Sequence, residues 1–161
     1  MTTPRMLFVD PGDEHVGLAK FALHPDGNWF CDSAFELAPV AAATVLSKIV
    51  SNTRLDVFGW ERFRLFPHLA QAQIGSEFET SQLIGVMKYL VRTAGHPNLQ
   101  VVVQDPSVQP VAEAVAKKRG IPLFSVTKGR GAHAKSAELH GIYYIASNKM
   151  PLGKITDRIE E

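Results

Sequence analysis

Two short apolar runs, each ending in an acid, constrain this chain more than any other feature of its sequence. Met6-Leu7-Phe8-Val9 leads into Asp10 and the turn pair Pro11-Gly12, while the run from Leu55 to Trp60 leads into Glu61. Near-continuous apolar runs of this length read as strands covered on both faces, as in parallel sheets packed between helices. Ligands of open α/β sheets sit off the carboxyl ends of the strands, where both acids fall. If the two strands are parallel neighbours, Asp10 and Glu61 leave the same sheet edge and repel each other. A hard divalent ion, Mg2+ or Mn2+, relieves that repulsion and prefers oxygen ligands. Two such ions about 3.5–4 Å apart would position water for in-line attack and steady the leaving oxygen. Simpler roles are open to both acids. Asp10 could accept backbone hydrogen bonds in its turn, and Glu61 could pair on the surface with Arg62 or Arg64.

The rest of the chain supplies the elements that such a sheet needs. Residues 16–22 and 29–37 read as strands around the turn His24-Pro25-Asp26-Gly27-Asn28, so the first 37 residues predict a three-strand antiparallel meander. Pro39 suits a helical first turn, and residues 40–51 continue it with apolar spacing. After Glu61, residues 62–75 read as a loop. Ser76 and Glu79 have capping-box spacing for a helix whose apolar face carries Leu83, Ile84, Met87, Leu90 and Val91. Residues 99–103 form a further strand. The next helix closes with Lys117-Lys118-Arg119-Gly120, basic residues and then glycine, with Pro122 beyond. Residues 121–126 form a short apolar run read as a possible strand, 127–131 are polar and flexible, and a last helix spans about 133–148. The expectation is one α/β domain over 1–161, with a mixed five-stranded sheet flanked by helices.

Composition excludes more than it assigns. No apolar run reaches the roughly 18–20 residues needed to cross a bilayer, and the N-terminus lacks a signal-peptide layout. The single cysteine, Cys31, cannot form an internal disulfide, and these features together suit a reducing cytoplasm. There is no phosphate loop, no paired cysteine for zinc and no Gly-x-Ser-x-Gly turn. The six histidines (15, 24, 68, 96, 133, 140) lack zinc-site spacing. Net charge is +1, but residues 106–158 hold nine basic against three acidic side chains. A basic C-terminal third is what binding to a phosphate backbone needs, although a solvated face would look the same.

The start of the last helix adds a third element. His133 and Ser136 share a face, and His140 returns to it. His133 has the chemistry of a metal ligand or of an acid for a leaving 3′ oxygen, whereas Ser136 is a poor ligand and a good hydrogen-bonding group. An isolated serine there also suits helix N-terminal hydrogen bonding.

Taken in order and spacing, these residues resemble the RuvC family of Holliday junction resolvases. The resemblance rests on Asp10-Pro11-Gly12 with Gly17, Glu61-Arg62-Phe63, Gly75-Ser76 with Ile84-Gly85, Gln104 with Pro106-Ser107, and His133-Ala134-Lys135-Ser136-Ala137. These stretches look most like the RuvC-like proteins of bacteriophages, and the resemblance covers residues 5–148. It implies an RNase H-like fold, a homodimer and two Mg2+ or Mn2+ ions per active site. The implied activity is paired nicking across a four-way DNA junction, in the cytoplasm of a bacterial host if the chain is phage-encoded. Asp10 matches the first-strand catalytic carboxylate and Glu61 the fourth-strand one. In the last helix the family carries Asp or His, then Asp three residues on; His133 and Ser136 stand at these positions.

Ser136 is therefore a departure from the pattern. It is open to three readings: a divergence compensated by another ligand, an introduced inactivating change, or a protein that binds branched DNA without cutting it. Glu138 should face elsewhere, and Glu79 is explained by capping. Lys117, Lys118, Arg119, Lys128, Arg130 and Lys135 are candidate phosphate contacts. Phe63 and Phe66 are candidates to wedge into a junction or, for Phe63 above all, to pack in a core or dimer contact. The helix over 76–94 is the dimer element that the resemblance implies. A rival from another class, a nucleotide-binding module of the actin-like ATPase type, shares the sheet and first turn but normally needs two such domains.

Overall fold

The computed structural model describes residues 5–63 and 79–153. Five strands, β1 (Arg5–Asp10), β2 (Val16–Leu23), β3 (Trp29–Leu37), β4 (Val57–Glu61) and β5 (Gln100–Gln104), form one sheet in the order β3-β2-β1-β4-β5. β1, β2 and β3 pair antiparallel, while β4 runs parallel to both β1 and β5. This is the expected mixed sheet of a meander plus parallel strands.

Strand periodicity divides the core in two. On one face Met6, Phe8, Ala19, Phe21 and Val57 pack beneath α3 (Val108–Arg119) and α5 (Ala132–Ser147). On the other, Leu7, Val9, Leu18, Phe58 and Trp60 pack beneath α1 (Pro39–Asn52) and α2 (Glu79–Thr93). Because even positions of β1 and odd positions of β4 belong to the first face, Asp10 and Glu61 both fall on the side covered by α3 and α5. Val9 is opposite Trp60 in the parallel register, so the two acids are the next residues on neighbouring strands.

α5 lies close against β2. A Cβ on Gly17 would overlap the His133 carbonyl, and one on Gly141 would overlap the Phe21 ring. Ala134 and Ala137 are fully buried in the same contact. Only glycine permits so close an approach at these two places.

One expectation is revised. Residues 121–126 hold no strand; Phe124–Thr127 form a short helix, α4. Glu138 accepts hydrogen bonds from the Phe124 N–H (2.7 Å) and the Ser125 N–H (2.8 Å), and the Ser125 hydroxyl donates to it as well (2.6 Å). A carboxylate at a helix N-terminus satisfies the free N–H groups and the dipole together. In α2, Thr80 donates from its N–H (3.1 Å) and hydroxyl (2.6 Å) to Asp13 of the β1–β2 turn. Ser76, Arg64, Phe66 and the loop assigned to 62–75 beyond Phe63 lie outside the described residues.

Candidate active site

The site is built where the parallel strands end beneath the N-terminal half of α5. Asp10 is buried, and its Oδ2 lies 2.9 Å from His133 Nδ1. The His15 ring, from the β1–β2 turn, stands 6.3 Å from that of His133. Gly131, before α5, offers no side-chain cap; Glu36 of β3 accepts the His133 N–H instead, at 2.7 Å. His133 is thus held at its backbone by β3 and at its ring by β1.

Glu61 is held differently. Its Oε2 accepts hydrogen bonds from His140 Nε2 (2.7 Å), Gln109 Nε2 (2.7 Å) and the Ser136 hydroxyl (3.2 Å). Gln109 also reaches Ser136 Oγ at 2.8 Å. His140 Nδ1 in turn lies 2.7 Å from Oε1 of Gln104. Among the described residues Glu61 is held by this interior set and forms no salt bridge with Arg62.

The two acids are tuned in opposite directions. Burial, then repulsion from Glu61, raises Asp10 above the usual carboxylate range; hydrogen bonds from Ser136 and His133 oppose the rise without cancelling it. Burial pushes Glu61 upward too, but the His140 hydrogen bond and charge, with Gln109 and Ser136, outweigh it and hold Glu61 low.

Of the residues expected from sequence, Asp10, Glu61, His133 and Ser136 come together. Lys117, Lys118 and Arg119 do not join them: they are exposed in the last turn of α3, about 12–15 Å along its axis from Gln109. Lys128 and Arg130 are exposed just before α5, close in sequence to His133. Lys135 is bound to Glu113 at 2.7 Å. Phe63 is exposed at the end of the described segment. Glu138, about 140° around α5 from His133, faces away as expected and caps α4.

His140, Gln104, Gln109 and Glu36 carry contacts to which the sequence assigned no role. Strand parity was the available signal for Gln104, since it pairs directly with Glu61 across the sheet. For His140 it was its position one turn beyond Ser136. Gln109 and Glu36 had none.

Among the described residues, no three His, Cys, Asp or Glu side chains are gathered as a metal-ligand cluster. The donor chemistry nonetheless fits a hard divalent cation. Two carboxylates share one face of adjacent strand ends, and after burial the charge of Glu61 raises Asp10, a repulsion that a hard cation would relieve. Ser136, as a neutral hydroxyl, adds no third anion.

No family model matches the chain, and no curated protein matches it in sequence. Solved structures do. Thermus thermophilus RuvC superposes with a TM-score of 0.62 at 14% identity, covering 91% of this chain and 97% of that one. The same protein in complex with a Holliday junction substrate gives 0.56 at 15% identity, covering 92% and 99%. The yeast mitochondrial Holliday junction resolvase gives 0.58 at 13% identity, covering 92% and 81%. At these identities the likeness is one of architecture, and the chain has the RuvC-like, RNase H-like fold.

Proposed function

We propose that this chain is a structure-selective endonuclease that binds branched DNA and nicks it by metal-dependent hydrolysis. The observation that carries the reading is the pairing of Asp10 and Glu61 on one face of adjacent parallel strand ends, beneath His133 and Ser136 of α5. The choice of substrate rests on the fold, because one structure with this architecture is described with a Holliday junction substrate.

Hydrolysis joins the oxygen of water to phosphorus and breaks the P–O3′ bond, leaving a 5′-phosphate and a 3′-hydroxyl. The chemistry that Mg2+ or Mn2+ supplies in such a site is neutralisation of the phosphate and activation of water. Asp10 and Glu61 would hold the cation, with His133 on the open side. Asp10 occupies Nδ1 of His133, which leaves Nε2 to ligate or to hand a proton to the leaving 3′ oxygen. With Ser136 neutral, the negative charge present suits one ion better than two. Lys128 and Arg130 are the cations best placed for phosphates near the cut, and Lys117, Lys118 and Arg119 would meet a more distant arm. Paired nicking would require a homodimer. The reading places the protein in the cytoplasm, and in a bacterial host if it is of bacteriophage type.

A second reading has its own support. Ser136 stands where a ligand is expected, and each carboxylate already has an imidazole partner; a protein that grips junctions without cutting them would be built this way. The test is cleavage of a labelled four-way junction in Mg2+ and Mn2+ by the chain, Ser136→Asp and Asp10→Asn, with binding measured on the same samples. Cutting that disappears in Asp10→Asn supports the nuclease. Binding without cutting, with activity only in Ser136→Asp, supports the second reading, and absence of junction binding defeats both.

A further inference from the structure

Glu61 and Gln104 are direct neighbours in the parallel register of β4 and β5, and both lie on the face covered by α5. The imidazole of His140 spans them, with Nε2 on Glu61 Oε2 and Nδ1 on Gln104 Oε1, each at 2.7 Å. The ring is fully buried, among the largest side chains with no exposure. Its neighbours along α5, Leu139 and Ile142, show what this environment otherwise holds. A buried imidazole costs free energy unless its nitrogens are partnered; here each faces an oxygen acceptor, an arrangement in which both nitrogens donate an N–H. What distinguishes it from those apolar neighbours is its pair of polar contacts, one of which is directed at Glu61.

All three hydrogen bonds to Glu61 from Gln109, Ser136 and His140 converge on Oε2; Oε1 takes none of them. A carboxylate held through one oxygen has its rotation fixed and presents the other. We propose that His140, anchored by Gln104, is a positioning residue that locks Oε2 of Glu61 and thereby presents Oε1 to a divalent cation beside Asp10. The inference rests on the metal-dependent reading above. It assigns a task to a residue outside the expected ligand set, acting through Glu61 and touching neither cation nor DNA.

The test uses the full chain and Mn2+ alone, with binding followed by electron paramagnetic resonance and calorimetry. Folding is checked by circular dichroism, and junction binding is measured in parallel. His140→Leu is expected to weaken Mn2+ binding by about 10–100-fold, the usual effect of losing a partner of a metal ligand, while junction binding stays unchanged. His140→Gln, whose amide can still donate to Glu61, is expected to restore most of the loss. Should His140→Leu not fold, Gln104→Leu decides, because it keeps the ring and removes only its anchor; a weakened Mn2+ affinity is again expected. Unchanged Mn2+ affinity in a folded His140→Leu, or in Gln104→Leu when that variant decides, overturns the positioning role and leaves the metal reading intact. Failure of the unmodified chain to bind Mn2+ overturns both, while its junction binding still reports on the DNA-binding reading.

Discussion

The pair Asp10–His133 and the pair Glu61–His140 each join a carboxylate to an imidazole at the same strand ends, yet they differ in burial and in the direction in which the carboxyl is shifted. His133 sits at the rim with 39% of its side chain exposed, while His140 has no exposure. Asp10 is raised by burial and by its acidic neighbour, and a half-exposed imidazole does not reverse this. Glu61 suffers burial as well, but its donors from α3 and α5 turn the balance. Identical chemistry is therefore set to opposite ends by the number of donors and by their exclusion from water. Glu61 is the carboxyl held low, and Asp10 is the one held high.

The largest effect expected from this contrast is on catalysis. Asp10→Asn should lower nicking of a four-way junction by about 1,000-fold, the several kcal/mol that cation-assisted hydrolysis contributes, with binding kept in gel-shift assays. Next, Ser136→Asp adds a third anion between the two acids. It should raise Mn2+ affinity by about 10-fold, since affinity for hard cations follows ligand charge, and lower the melting temperature measured in chelator. Stability at neutral pH should then separate the pairs by sign. Glu61→Gln should cost about 1–3 kcal/mol in urea unfolding, because it weakens a hydrogen-bonded interior network. Asp10→Asn should stabilise slightly in the same measurement.

Linkage fixes how those two differences change with pH. Glu61 is held low, so its contribution is present above its unfolded value and is lost as pH falls through its folded value. Asp10 is raised, so its contribution is present below its unfolded value and is lost as pH rises through its folded value. Both variants should therefore converge on the parent chain in acid, one from below and the other from above. Convergence from the same side would break the comparison. A loss of about 1 kcal/mol is expected of Glu36→Ala, for a lost helix cap, which should loosen His133 and leave His140 unmoved in NMR spectra.

How much of this was legible in sequence follows from the range over which each interaction acts. The strands around Asp10 and Glu61 were readable because alternation and apolar runs are local, and parity alone places both acids on one face. His133 and Ser136 were readable from helical spacing. The N-termini of α4 and α5 were not, because they are held by Glu138 and Glu36, acids remote in the chain or beyond the helix they cap. A local capping rule has no access to such partners. The run at 121–126 was ambiguous between strand and helix, as short apolar runs are. Gln104 and Gln109 carry no charge and no reactive group, so only their three-dimensional neighbours reveal their part. The basic side chains, one cluster in sequence, are divided in space because α3 carries Lys117, Lys118 and Arg119 away from the site.

The seating of α5 on β2 has a consequence for how such a protein changes over generations. Where Gly17 and Gly141 meet the opposing element there is no room for a methyl group, so the distance between helix and sheet is fixed by backbone. The side chains at 133, 136 and 140 project from that fixed helix toward the strand ends. Exchanging one for another alters charge and ligation without asking the framework to move. Under the proposed function, gain or loss of cutting would turn on single substitutions at these positions, and a lineage could pass between a junction-cutting and a junction-holding protein while keeping the same shape.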